Sequence, residues 1–245
     1  MKLKRLVLLL LCVFFFSTAV PQASAEQQTV LIYMLACDLE TDSGAATKDL
    51  LEIMKASNDI NELKIIVYIG GSEKLWFSGL EHARCYDLAF ENGECTILND
   101  LGRVPSAEQN SLLRFLNDYG TDGADLILWG HGSGKSCELG YDDLFDRDTL
   151  CLEELDGALQ ECGLCFRLIG FDACGMASEA FIQTVTPYAE LVVVSPGAEV
   201  IDGWNYMELL TLLVEGKKYD ELTNALTSER RDTDRLPLKV VRGTV

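Results

Sequence analysis

Asp125-Leu-Ile-Leu-Trp-Gly-His131-Gly-Ser-Gly134 is an apolar run that stops abruptly at a histidine framed by glycines. A second stretch, Phe166-Arg-Leu-Ile-Gly-Phe-Asp172-Ala-Cys174-Gly175, ends in the same way at a cysteine, 43 residues after His131. Apolar runs of this length, bounded by turn residues, read as buried strands. In open α/β sheets, ligands bind just beyond the carboxyl ends of the strands. If the two runs are parallel neighbours, the imidazole of His131 and the thiol of Cys174 emerge at one sheet edge, an arrangement that makes a Cys–His nucleophile pair.

The flanking sequence repeats the alternation. Thr29 to Ala36, Leu63 to Ile69 and Leu191 to Ser195 are further apolar runs of strand length. Between them lie segments of helical spacing. Ala45 to Ala56 puts Leu50, Leu51 and Met54 on one face, and Leu152 to Glu161 and Glu208 to Glu215 read similarly. Ser106 to Tyr119 is amphipathic, with Ser106 as cap and Gln109 three residues on, a capping-box pattern. Helices are also expected from Met176 towards Pro187 and over Tyr219 to Ser228. Cys37 to Gly44 reads as turn-rich, Trp76 to Leu98 holds room for one or two short hairpin strands, and Gly130 to Thr149 is a long polar loop. Strands alternating with helices predict an α/β fold with a mainly parallel sheet and right-handed crossovers.

The chain has 245 residues. Lys2, Lys4 and Arg5, the apolar Leu6 to Phe16 and then Ala23-Ser-Ala25 form a secretory signal peptide, and 26–245 is expected to be one domain. The apolar core is too short for a confident membrane span, so a secreted protein free of the membrane after cleavage is expected. Net charge is −19, or −22 without the signal, which disfavours nucleic acid and anionic membranes as partners. Eight cysteines follow the signal: 37, 85, 95, 137, 151, 162, 165 and 174. With Cys174 free, at least one more is unpaired.

Of the two histidines, His82 lies in a charged irregular stretch and reads as a surface residue. His131 sits where glycines let the backbone turn sharply and approach a ligand. Cys174 precedes Gly175 and a helix expected near Met176; a helix N-terminus and an adjacent imidazole both favour thiolate. The backbone N–H groups of Gly132 and Cys174 are candidates for an oxyanion hole. WGHGSGKS, Trp129 to Ser136, has Trp where a P-loop needs glycine, and no helix follows. Asp142, Asp143, Asp146 and Asp148 lack the regular spacing of a calcium loop, so no cofactor is expected, with calcium as the one candidate.

Trp-Gly-His131-Gly-Ser-Gly, Phe-Asp172-Ala-Cys174-Gly-Met and the later Gly203-Trp-Asn-Tyr206 together resemble the clostripain family of cysteine peptidases. Asp172-Ala-Cys174-Gly175 is also similar to the caspase pattern Q-A-C-[RQG]-G, with Asp in place of Gln. The resemblance spans about Thr29 to Tyr206. It implies a caspase-like three-layer sandwich and a secreted endopeptidase that cleaves proteins or peptides after Arg or Lys through a Cys–His dyad and an acyl-enzyme. It implies that Asp172, two residues before the nucleophile, lines the pocket for the basic side chain, with Asp202 as a second acid. A carboxylate there suits a cation. Relatives are often matured by self-cleavage between the two site residues, which makes Arg147 the first candidate bond and Lys135 the second. Relatives also extend further and have a sixth strand, which only Leu236 to Val241 can supply here; C-terminal truncation stays open. Two other readings stand beside this one: an inactive caspase-like binding protein, and a thiol–disulfide oxidoreductase using Cys162-Gly-Leu-Cys165, although that pair ends a helix rather than opening one.

Overall fold

β1 (Gln28–Leu35) is buried on both faces, and its residues alternate between two separate cores. Val30, Ile32 and Met34 join one core, and Leu31, Tyr33 and Leu35 the other. Side chains of successive strand residues point to opposite faces, so a strand apolar throughout needs cover on both. The computed structural model describes residues 27–133, 138–198, 203–215 and 238–245. The stretch expected to be a signal peptide, Lys135, Cys137, Asp202 and the helix expected over Tyr219 to Ser228 lie outside them.

After β1 come α1 (Cys37–Ser43), α2 (Ala45–Asp59) and β2 (Leu63–Gly70). Then follow β3 (Cys85–Glu91), β4 (Glu94–Gly102), α3 (Gln109–Tyr119) and β5 (Asp125–Trp129). A small hairpin, β6 (Leu139–Asp142) and β7 (Asp148–Leu150), precedes α4 (Leu152–Cys162) and β8 (Phe166–Asp172). The chain continues through α5 (Glu179–Val185), β9 (Ala189–Val194), α6 (Tyr206–Val214) and β10 (Lys239–Arg242). The main sheet has eight strands in the order β10-β9-β8-β5-β1-β2-β3-β4. Its five inner strands, β9 to β2, run parallel, while β3, β4 and β10 are antiparallel additions at the two edges. α2 and α6 cover one face, and α3, α4 and α5 the other, giving three layers. β10 occupies the stretch expected to supply the last strand.

Three local expectations are corrected. Cys37 to Gly44 is a helix, closed by Gly44 in the left-handed conformation at φ 65°. Leu51 faces solvent at 47% exposure, and Ile53 takes the buried place beside Leu50. Ser106 does not cap α3, which starts at Gln109. It is instead fully buried: its hydroxyl accepts from Tyr68 Oη at 2.8 Å, its carbonyl accepts from Tyr33 Oη at 2.7 Å, and its N–H donates to Asp142 at 2.7 Å. Tertiary partners outcompete the local cap. Ser106→Ala should therefore cost about 1–3 kcal/mol, the scale for orphaning a buried hydroxyl. Urea denaturation checks this, with an unchanged midpoint as the contrary result.

Candidate active site

The register of β5 on β8 pairs Trp129 with Asp172. His131 and Cys174 each lie two residues beyond that pair, so both chains leave the sheet together. The Gly130 N–H donates to the Asp172 carbonyl at 3.2 Å, which holds the two exits side by side. Gly132 then passes against the backbone of Cys174: a Cβ at position 132 would stand 1.9 Å from the Cys174 carbonyl oxygen. No side chain fits there, which is the physical reason for glycine after His131. β1 lies beside β5, with β2 on its other side. The site thus sits where the strand order reverses, the place open α/β sheets reserve for ligands.

The third strand end contributes a residue that sequence reasoning missed. Asp38, in the first turn of α1 after β1, faces His131, with Oδ1 2.8 Å from Nε2. Both side chains are about two-fifths exposed. Burial alone would raise the Asp38 pKa, but the nearby Tyr141 hydroxyl and the His131 ring outweigh it and hold the carboxyl below its usual range. Cys37, just before it, is fully buried and has φ 36°, a left-handed conformation unusual for a residue with a Cβ. Strain of this kind collects at functional sites. Burial pushes the Cys37 thiol up to about 12.

The imidazole of His131 stacks on Tyr141 of β6, with ring centroids 5.3 Å apart and planes 6° from parallel. The guanidinium of Arg147 in turn lies 3.9 Å from the Tyr141 ring centroid. The expected irregular loop is therefore partly structured: β6 and β7 form a hairpin whose turn carries Arg147. Asp146 and Arg147 both have positive φ, 52° and 60°, and the Arg147 N–H donates to the Asp142 carbonyl at 2.9 Å.

Asp172 ends β8 and is only 4% exposed. It accepts from the Trp204 N–H at 3.0 Å and from Tyr206 Oη at 3.3 Å, tying the segment before α6 to the strand end. The Trp204 ring packs over Gly170, where a Cβ would stand 2.8 Å from it.

Cys174 is not at a helix start. α5 begins at Glu179, capped by Ser178, whose hydroxyl accepts from the Phe181 N–H at 3.2 Å. The dipole effect fades within the first turn, so the expected help from a helix N-terminus is withdrawn. The backbone next to Cys174 is held where the Gly175 N–H donates to the Gly197 carbonyl at 2.8 Å. The loop acids do not converge. Asp142 gives its carboxylate to the N–H groups of Ser106 and Leu144, and Asp146 and Asp148 are exposed. Among the described residues, the one group of three donors that converges is Cys37, Asp38 and His131. The seven described cysteines are free thiols, Cys162 and Cys165 included. His82 is exposed and accepts from the Leu75 N–H at 3.1 Å. No helix among the described residues is long and apolar enough to cross a membrane.

The sequence profile of the clostripain family matches residues 32–234. Among solved structures, the chain is similar to a secreted C11 cysteine protease from Bacteroides thetaiotaomicron in complex with an irreversible peptide inhibitor. That match has a TM-score of 0.71 at 18% identity over 88% of this chain and 66% of the other. It is also similar to an inactive zymogen C11 protease from Parabacteroides distasonis, with a TM-score of 0.68 at 19% identity over 89% of this chain and 63% of the other. The chain spans about two thirds of the length of these solved relatives. No curated protein matches it.

Proposed function

The chain belongs to the clostripain family of cysteine peptidases, and we propose that it is itself a secreted endopeptidase cutting after Arg or Lys, with Cys174 as nucleophile and His131 as general acid–base. The observation that carries this reading is the matched exit of the two strands, two residues past the Trp129–Asp172 pair, with Gly132 pressed against the Cys174 backbone. Nε2 of His131 is engaged by Asp38, which leaves Nδ1 to exchange the proton with the thiol. Sulfur attacks the peptide carbonyl, His131 protonates the leaving amine, and water hydrolyses the resulting thioester. The N–H groups of Gly132 and Cys174 are the donors closest in chain to the developing oxyanion.

Specificity is assigned to Asp172, with Asp202 as the second acid. A nearly buried carboxylate at the strand end supplies negative charge two residues from the nucleophile. Hydrogen bonds from the Trp204 N–H and the Tyr206 hydroxyl help to hold it in place. The test is hydrolysis of peptides that differ only in Arg, Lys, Asp or norleucine before the bond, by wild type and Asp172→Asn. Asparagine keeps an acceptor for Trp204 and removes the charge. Arg peptides should lose roughly 2–5 kcal/mol of transition-state binding relative to norleucine peptides, the scale for a buried cation left without its partner. Equal loss on both would make Asp172 a support for the 203–206 segment only.

Self-cleavage after Arg147 is proposed as maturation, with Lys135 as the second choice. The Arg147 side chain is exposed, but its bond lies in a hairpin turn at positive φ and must open before it can be cut. Cleavage should be slow in the folded enzyme and faster in trans once mild denaturant loosens the turn. Intact-mass analysis over time reads this out: wild type gives a new terminus at Asp148, and Cys174→Ala stays whole. A wild type that stays whole while hydrolysing Arg peptides removes the idea.

A further inference from the structure

Cys37, Asp38 and His131 each present one donor atom, and the three atoms lie within 4.8 Å of one another. We propose that they form a binding site for a zinc-like divalent cation, which shuts the peptidase off by taking its histidine. Zinc is bound by sulfur, imidazole nitrogen and carboxylate oxygen at about 2.0–2.3 Å, which sets donor atoms roughly 3.2–3.8 Å apart on a tetrahedron. The 4.8 Å limit exceeds that spacing by about 1 Å, and the Asp38–His131 contact at 2.8 Å has to open by roughly half an ångström, both within the reach of small side-chain rotations. The donor set selects among metals. Calcium and magnesium take oxygen and have no use for a thiol, whereas a mixed sulfur, nitrogen and oxygen set suits zinc.

The three donors come from two strand exits. Cys37 and Asp38 follow β1, and His131 follows β5, so the parallel pairing of β1 with β5 places them together. Cys37 is fully buried, while Asp38 and His131 are about two-fifths exposed, so the cation enters from solvent past the carboxylate and imidazole and meets sulfur at the floor. The Tyr141 hydroxyl is buried beside the same carboxylate, outside hydrogen-bond geometry. On binding, the thiol proton passes to solvent, the proton that Nε2 shares with Asp38 moves to Nδ1, and sulfur–metal and nitrogen–metal bonds form with no change of oxidation state. The Asp38–His131 hydrogen bond is replaced by two metal bonds. A fourth position is left for water, as in three-ligand zinc sites.

The site itself does not depend on peptidase activity; only the inhibitory consequence rests on that reading. The test therefore has a binding arm and an activity arm. Cobalt(II), a spectroscopic stand-in for zinc, is titrated into wild type, Cys174→Ala, Cys37→Ala and His131→Asn, with zinc then used to displace it. Wild type and Cys174→Ala should show one saturable, thiolate-coloured site of equal affinity. Cys37→Ala and His131→Asn should weaken it at least about tenfold, since even the loss of an outer-shell partner costs 10–100-fold. Melting curves establish that each variant is folded, and Cys37→Ser serves if Cys37→Ala is not. An unaffected Cys37→Ala, a lost site in Cys174→Ala, or no saturable colour in wild type overturns the proposal. In the activity arm, zinc should inhibit hydrolysis by wild type reversibly, with chelator restoring it, and Cys37→Ala should need at least about tenfold more zinc for the same fractional loss. Equal sensitivity would mean that the cation acts at His131 and Cys174 without Cys37. A protein that hydrolyses no peptide yet binds cobalt through Cys37 rejects the peptidase reading and keeps the metal site.

Discussion

Cys174→Ala is expected to abolish peptide hydrolysis, by on the order of 10⁴-fold or more, while the protein melts as wild type does. Removing a nucleophile costs this much because no acyl-enzyme can form, and only binding and oxyanion contacts remain to act on water. The fold should tolerate the change. Cys174 is partly exposed, it follows β8 rather than lying in it, and alanine retains the backbone contacts around it. Gly175 would still donate to Gly197, and Gly132 would still pass against the residue 174 carbonyl. Two measurements check the expectation together. Hydrolysis of an Arg-terminated fluorogenic peptide reads the chemistry, and mass spectrometry after an arginine-based electrophile reads covalent capture. Wild type should gain one adduct on Cys174, and the variant none. A folded Cys174→Ala protein with full activity would falsify the mechanism. An adduct on Cys162 or Cys165 in the variant, together with reductase activity towards insulin, would instead favour the oxidoreductase reading.

How far the sequence announced this arrangement depends on how local the cause is. The five parallel strands are visible because each is buried on both faces and so reads as an apolar run; TVLIYMLA ends up serving two cores. The glycines at 130 and 132 are visible because their causes are local to the backbone: Gly130 has φ 153°, and at Gly132 the Cys174 backbone leaves no room for Cβ. Features that depend on partners far along the chain were hidden. Ser106 has the local pattern of a helix cap, yet Tyr33, Tyr68 and Asp142 claim it first. α1 is polar and short, and its helical state follows from Glu40, a buried carboxylate that accepts from the Thr47 and Trp76 N–H groups. β6 and β7 are only four and three residues long, below the length at which alternation can be read. Asp38 was hidden most completely. Nothing near it in sequence marks it, and its role appears only when β1 is set beside β5. The available signal was its place just past a buried strand, the same signal that marked His131 and Cys174.

That contact shapes the second large effect. His131→Ala should reduce hydrolysis at least ~10²-fold, the usual scale for a positioned general acid–base group. It should also slow alkylation of Cys174 by iodoacetamide at neutral pH, because the imidazole that draws the thiol proton is gone. The two readouts separate chemistry from folding. A merely structural histidine would change the melting temperature and leave the alkylation rate of the folded fraction alone. Asp38→Ala then tests the geometry rather than the chemistry. The carboxylate is held below its usual pKa and so is ionised at neutral pH, where it can fix the imidazole with Nε2 turned towards it. Without it, His131 can rotate on Tyr141. Hydrolysis should fall by less than in His131→Ala. Alkylation of Cys174 at neutral pH should slow as well, because the imidazole is no longer held in place by the carboxylate. If His131→Ala lowers hydrolysis while the alkylation profile of Cys174 stays that of wild type, the imidazole and the thiol do not act as a pair. Hydrolysis would then have to draw its proton transfers from another group at the same sheet edge.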